Sequence, residues 1–159
     1  MDKRFHMGKV QPDAYAAMDA LDQYLAKTAI DQRTQELIRV RASQINGCAY
    51  CVNYHTEEAI KQGEAWQRLH LLSAWREAGD IFSDEERLML KMTEEITLIH
   101  RQGLTDETYE EAIATFGIEK TAQIIMVIVT INAWNRIGVA LAMKPSLSGQ
   151  WAVSSVNNS

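Results

Sequence analysis

The chain has 159 residues, 47% hydrophobic and 23% charged, with a formal net charge of −5. This is one domain of ordinary globular balance, long enough to bury a core without disulfide staples. The acidic balance and the lack of a basic cluster argue against a nucleic-acid binder and give no attraction to an anionic membrane surface. The first residues, Met1 to His6, contain no apolar stretch of signal-peptide type, and the most apolar run, Ile124 to Ile131, is too short to cross a bilayer, so a cytoplasmic protein is expected. In such a reducing compartment two cysteines three residues apart point to catalysis or metal binding rather than to a structural crosslink.

Two prolines and eight glycines leave long stretches free for helices, and the apolar spacing is helical almost throughout. Pro12 opens a first helix, with Tyr15, Met18, Leu21 and Leu25 on one stripe. A second starts near Asp31, turns Leu37, Ile38, Ala42 and Ile45 inward, and stops at the turn signal Asn46-Gly47. A third runs from about Cys48 to Gln62 with Gly63 as its stop, and a fourth from Ala65 to about Trp75 with Leu69 and Leu72 inward. Ser83-Asp84-Glu85-Glu86 reads as a capping box for a helix carrying Leu88, Met92, Ile96 and Ile99 and ending near Gln102-Gly103. Another spans Thr105 to Phe116, closed by Gly117. The last and longest, from about Glu119 to Met143, is stopped by Pro145, and its apolar excess suggests burial between subunits. The fold class is therefore all-α, a single-domain helical bundle over 1–145 with a polar tail over 146–159, where Trp151 and Val153 are apolar enough to dock on a partner subunit.

Cys48, Cys51 and His55 share one helix face, because their offsets are three and four residues. Cys48, just after Asn46-Gly47, lies in or beside the first turn, where free N–H groups and the helix dipole favour a thiolate. A second thiol three residues away can resolve a sulfenic acid or a mixed disulfide, and His55 can take or give the proton that such chemistry needs near neutral pH. An antiparallel hairpin about Asn46-Gly47 returns Glu36 to the level of His55, where a carboxylate would orient the imidazole. Position alone leaves the attacking sulfur open: the helix terminus favours Cys48, adjacency to His55 favours Cys51. Two rival readings stand beside the redox one, a pair of inert buried core cysteines and a zinc site of Cys48, Cys51, His55 and Glu36. His70 and His100 are read as structural, His100 near a helix C-terminus, and His6 as part of a mobile end. Trp134, Asn135 and Arg136 are assigned to core or subunit packing in preference to a pocket, and the methionines to core filling.

The series Glu36, Cys48, Cys51, His55 resembles the active-site signature of the alkylhydroperoxidase D-like branch of the carboxymuconolactone decarboxylase family. The run from Glu36 to Gly47 resembles that family's lead-in to the cysteines, His55 to Gly63 its continuation, Phe82 to Arg87 its second helical block, and Ile131 to Ile137 its last helix. The resemblance implies an all-helical subunit assembling as a trimer or hexamer, no cofactor and no metal, and a peroxidase that reduces organic hydroperoxides. It implies that Cys51 attacks, Cys48 resolves, and Glu36 and His55 relay protons. The disulfide would then be reduced by a dithiol donor, in some members a lipoyl-bearing protein. Tyr50 departs from the pattern, since the family's hydroperoxidases of this type carry a histidine between the cysteines. The lactone decarboxylases generally lack the cysteine pair, which counts against that activity, although a non-redox enzyme acting on a lactone through His55 and Glu36 remains an alternative, as does a non-catalytic redox-sensing or metal-binding oligomer.

Overall fold

The computed structural model describes residues 4–146, and among these every regular element is a helix and none is a strand. The order is α1 (Met7–Val10), α2 (Pro12–Leu25), α3 (Gln32–Ile45), α4 (Ala49–Lys61), α5 (Trp66–Leu71), two 3-10 turns (Leu72–Glu77 and Gly79–Ile81), α6 (Asp84–Thr97) and α7 (Asp106–Ala140). Local chemistry sets most of the starts. Pro12 occupies the first turn of α2. Asp31 caps α3 by accepting from Thr34 N–H at 3.0 Å. Ser83 and Glu86 form the reciprocal capping box of α6, and Thr105 caps α7 through Thr108 N–H.

α3 is the middle of the bundle, packed against α4, α6 and α7. It is buried on nearly every side although it is rich in polar residues: Gln35, Glu36, Arg39 and Ser43 are buried along with Leu37, Ile38, Val40 and Ala42. Burying polar groups is tolerable only when each finds a partner. Gln35 Nε2 donates to the carbonyls of Leu25 and Ile30, both at 2.9 Å, and so stitches the α2–α3 connection. Ser43 Oγ donates to Arg39 O and accepts from Asn135 Nδ2 of α7 at 2.9 Å. Two apolar clusters fill the remaining volume. One joins Leu25, Ile38, Met92, Ile124 and Ile128 between α2, α3, α6 and α7. The other joins Leu37, Val40, Leu72, Trp75, Phe82 and Leu90 under the 3-10 turns. Glu94 pins that second region by accepting from Trp75 Nε1 at 2.8 Å and from Arg41 and Arg76.

Several boundaries differ from the sequence expectation. The stretch from Ala65 to Trp75 is a short α-helix followed by 3-10 turns, with Ala74 off helical geometry. The helix carrying Met92 ends at Thr97, and Ile99, expected inward, is 70% exposed. The cause is a competing cap: Glu95 reaches across to accept from Thr105 N–H, Thr105 Oγ1 and Thr108 Oγ1, holding residues 98–103 as a turn. His100 therefore lies in that turn, beyond the helix. Gly117 adopts φ 75°, which L side chains rarely adopt, so α7 is two helical limbs joined at a break, as the glycine stop implies. The second limb ends at Ala140, short of Met143. α7 is long and apolar enough to cross a membrane by length and composition, yet Ile124, Val127, Ile128 and Ile131 are fully buried in the bundle core. The tail from 147 on, with Trp151 and Val153, lies outside the described residues.

The α3–α4 turn that carries the cysteines is fixed by Asn46, whose Nδ2 donates to Asn132 Oδ1 and Asn135 Oδ1 of α7, both at 2.9 Å. Asn46→Ala removes the donor to Asn135 Oδ1 and leaves Asn132 Oδ1 with Arg136 Nη1 alone. The expected cost is about 1–3 kcal/mol, read as a lowered urea midpoint at unchanged m-value.

Candidate active site

Gly47, at φ 64°, makes the reversal between α3 and α4. Cys48 then stands as the N-cap of α4, with its sulfur accepting from Cys51 N–H at 3.3 Å. Cys51, one turn on, is joined to it in a disulfide, with a Cα–Cα distance of 5.3 Å. Both are nearly buried, as the inert-core reading requires, but a sulfur–sulfur bond is not a property of two inert core thiols. Among the described residues no three His, Cys, Asp or Glu side chains converge as a metal site.

One turn after Cys51, His55 Nδ1 lies 2.7 Å from Glu36 Oε2 across the α3–α4 hairpin. The other carboxylate oxygen of Glu36 accepts from Arg39 Nη1 at 2.6 Å. Arg39 in turn reaches Gln35 Oε1 at 3.1 Å and Asp22 Oδ1 at 3.5 Å through Nη2, and Asp22 Oδ2 accepts from Trp134 Nε1 at 2.7 Å. A chain of polar contacts thus runs from α4 through α3 and α2 to α7. Burial by itself raises the Glu36 carboxyl, but the hydrogen bond and charge of His55 and the guanidinium of Arg39 outweigh it and hold the group below the usual carboxylate range. Glu36 is therefore an acceptor at neutral pH, so the proton of this contact belongs to Nδ1. Nε2 is then the nitrogen that exchanges protons, as a base when His55 is neutral.

Beside this pair is a cavity of about 480 Å³, within the usual range for small-molecule sites. Cys51, Glu36, Arg39 and His55 all contribute to its wall. Cys48 does not, so of the two sulfurs Cys51 is the one presented to the cavity. Aromatic side chains form much of the rest, beside Met7, Ile131, Ile137, Leu141 and Met143. Tyr50 and Tyr54 of α4 stack with ring centroids 6.4 Å apart and planes 11° apart. Tyr15 of α2 meets Trp134 of α7 edge-on at 5.1 Å. Phe5 and His6 line one side, on a segment tied down by Arg4, whose N–H and Nη1 donate to the carbonyls of Leu141 and Ala140. Three sequence expectations change here. Trp134 lines the cavity rather than serving only as packing, because its N–H is committed to Asp22 and its ring to Tyr15. His6 stands at the cavity wall, 6.1 Å from the Tyr15 ring, instead of belonging to a loose end. Tyr50, noted only as a departure between the cysteines, is part of the wall.

Two contributors escape a reading of the cysteine region alone. Arg39 is the buried counter-charge of Glu36, and its i,i+3 spacing on α3 was the available signal. Gly138 sits where α7 passes the disulfide: a Cβ there would lie 3.0 Å from Cys48 Sγ and 3.4 Å from Cys51 Sγ. A glycine inside the second limb of α7 is the trace such a close approach leaves in a sequence.

The family-model comparison matches residues 12–95 to the carboxymuconolactone decarboxylase family. The chain belongs to that family. It is 37% identical over 141 residues to the uncharacterized protein YdfG of Bacillus subtilis, covering 89% of this chain and 95% of that one. A crystal structure of a protein of unknown function from Agrobacterium tumefaciens, presented as an antioxidant defence protein AhpD, superposes with a TM-score of 0.88 at 34% identity, over 92% of this chain and all of the other. The debrominase Bmp8, solved with 2,3,4-tribromopyrrole, shares the fold at a TM-score of 0.77 and 19% identity, over 90% of this chain and 74% of its own. With its cysteine pair and this likeness, the chain falls in the alkylhydroperoxidase D-like branch of the carboxymuconolactone decarboxylase family.

Two predictions follow from the geometry. Gly138→Ala gains helix propensity worth about 1 kcal/mol but presses a methyl group on the sulfurs. It is expected to lower the Tm of the disulfide form and to raise it in a Cys48→Ala/Cys51→Ala background, a change of sign that a double-mutant cycle reads directly. Glu36, whose carboxyl is held low in the folded state, contributes stability that is complete above the ordinary carboxylate range and is lost as the pH falls through its folded value. Glu36→Gln should therefore be less stable than wild type by about 3–5 kcal/mol at neutral pH, with the gap closing as denaturation is repeated at pH values descending towards about 3.

Proposed function

We propose that the protein is a dithiol peroxidase that reduces organic hydroperoxides. The observation that carries this reading is that Cys51, partner of Cys48 in a disulfide, opens on the same cavity as the hydrogen-bonded Glu36–His55 pair. In the reduced protein His55 takes the Cys51 proton and the thiolate attacks the terminal oxygen of the hydroperoxide. The O–O bond breaks, the protonated His55 returns its proton to the departing alkoxide, and the products are an alcohol and a Cys51 sulfenic acid. Cys48 then attacks the Cys51 sulfur, the S–S bond forms, and the hydroxide leaves as water with the Cys48 proton. The balance is one hydroperoxide and two thiols to one alcohol, one water and one disulfide. Glu36 keeps the imidazole oriented, and His55 with Arg39 keeps Glu36 ionised.

The oxidised protein is returned to the dithiol by an external dithiol reductant, in this reading a small dithiol or a lipoyl-bearing protein, within a reducing cytoplasm. The reading includes a homo-oligomer, trimer or hexamer, supported by apolar side chains that α7 leaves exposed, among them Ile118, Val129 and Val139. A second reading, reductive debromination of an aromatic ring, is favoured by the aromatic cavity wall. There an aryl bromide and two thiols would yield the debrominated arene, hydrogen bromide and the disulfide.

Stopped-flow mixing of pre-reduced protein with cumene hydroperoxide is expected to consume two thiols per alcohol formed. Cys51→Ser should abolish the reaction, and Cys48→Ser should stop after one turnover with a sulfenic acid trapped by dimedone. His55→Gln should slow the first step by about 10²–10⁴-fold, with Glu36→Gln in the same direction. Full multi-turnover activity in Cys51→Ser would overturn the assignment. Bromide release from tribromopyrrole without thiol loss to hydroperoxide would select the second reading.

A further inference from the structure

The charge of the cavity wall is one-sided. Among the described residues that line it, four carry carboxylates: Asp19 and Asp22 on α2, Glu36 on α3 and Glu58 on α4. The one guanidinium or ammonium group in the wall is Arg39. Its Nη1 donates to Glu36 at 2.6 Å and its Nη2 to Gln35 and Asp22, so this nearly buried cation is already paired with two of the wall's own carboxylates. Glu36 is compensated by Arg39 and His55, and Asp22 is held by Trp134 Nε1. Asp19 and Glu58 remain, on two different walls. Glu58 is ion-paired with Lys61 at 2.5 Å, whose side chain is 65% exposed and outside the cavity lining, so its charge is offset in part from the solvent side. His6 and His55 are the remaining titratable cation formers in the wall, and His55 is already bonded to Glu36.

The apolar part of the wall joins ring faces to the aliphatic and thioether side chains of Met7, Ile131, Ile137, Leu141 and Met143. α4 supplies the stacked Tyr50–Tyr54 pair, and α2 with α7 supplies the Tyr15–Trp134 pair. Burial first, then the neighbouring carboxylates, raises both the Tyr15 and Tyr54 phenols, so they stay neutral and present rings and hydroxyl groups instead of further charge. Ring faces carry negative potential and pack well against another ring. A carboxylate or phosphate entering here would lose its hydration and meet a wall that holds four carboxylates to one guanidinium, together with ring faces.

We propose that this cavity takes uncharged substrates with an aromatic body and rejects those that carry a carboxylate or phosphate. The proposal rests on the peroxidase reading only for which bond is broken; the selection itself is a property of the cavity and is testable without turnover.

Two experiments separate the two claims. In the first, the full-length disulfide form is titrated with cumyl alcohol, its para-carboxylate and tert-butanol, followed by amide shifts of Tyr54 and Gly138. Cumyl alcohol should bind at least roughly tenfold more tightly than the carboxylate and more tightly than tert-butanol. Equal or tighter binding of the carboxylate, or no binding of cumyl alcohol, overturns the proposal, and parity with tert-butanol overturns its aromatic part. In the second, pre-reduced protein is oxidised by cumene hydroperoxide and by its para-carboxylate. The rate ratio should favour the neutral compound by a similar factor and fall several-fold in Asp19→Asn/Glu58→Gln. A ratio near one, or one that the double variant leaves in place, overturns the charge argument. If neither hydroperoxide oxidises Cys51 while the alcohols are bound selectively, the peroxidase reading fails and the cavity's selection stands.

Discussion

The buried carboxylate of Glu36 is the constraint around which the rest of the site is arranged. A charge taken out of water is costly unless it is paired and fully hydrogen-bonded. Glu36 meets that requirement from two directions, with Arg39 on its own helix and His55 from the next. The first contact could form in an isolated α3. The second exists only when α4 folds back at one register, so satisfying the charge and aligning the hairpin are one event. The same requirement explains how α3 can be both polar and central. Gln35, Arg39 and Ser43 each end on a defined partner, and the contacts run outwards to Asp22, Trp134 and Asn135.

The dithiol is held by complementary means. Its own helix start fixes Cys48 and Cys51 relative to each other, through the cap and the single turn between them. Its distance from α7 is set by what α7 lacks, a side chain at Gly138. Asn46 closes the arrangement by tying the turn before Cys48 to Asn132 and Asn135. The result is a pair of sulfurs with one presented to the cavity and the other packed behind it. The proposed reaction uses this asymmetry, because a substrate must reach the sulfur it oxidises.

The cavity gives the chain an individuality that membership in a family does not. Its walls come from the N-terminal segment, α2, α3, α4 and the second limb of α7. Tyr50, between the two cysteines, stacks on Tyr54 in this wall. The aromatic pairs and the surplus of carboxylates therefore bear on which molecules reach Cys51 more than on the thiol chemistry itself.

The sequence by itself determined most of the helices, though neither α1 nor the break within residues 65–75, and the one-turn spacing of Cys48, Cys51 and His55. These depend on residues a few positions apart: caps at Asp31, Ser83 and Thr105, the stop at Gly117, the i,i+3 and i,i+4 rule. It also carried the hairpin that returns Glu36 to the level of His55, since a tight turn at Asn46-Gly47 and a constant rise per residue leave little freedom. It did not determine the early end of α6, which Glu95 decides by capping a different helix, nor the inward turn of Trp134 and His6. Nor did it reveal that Gly138 lies against the sulfurs or that Arg39 and Asp22 link α3 to α2. Only the tertiary structure decided those, because each depends on which residues distant in the chain become neighbours, and no local periodicity encodes that.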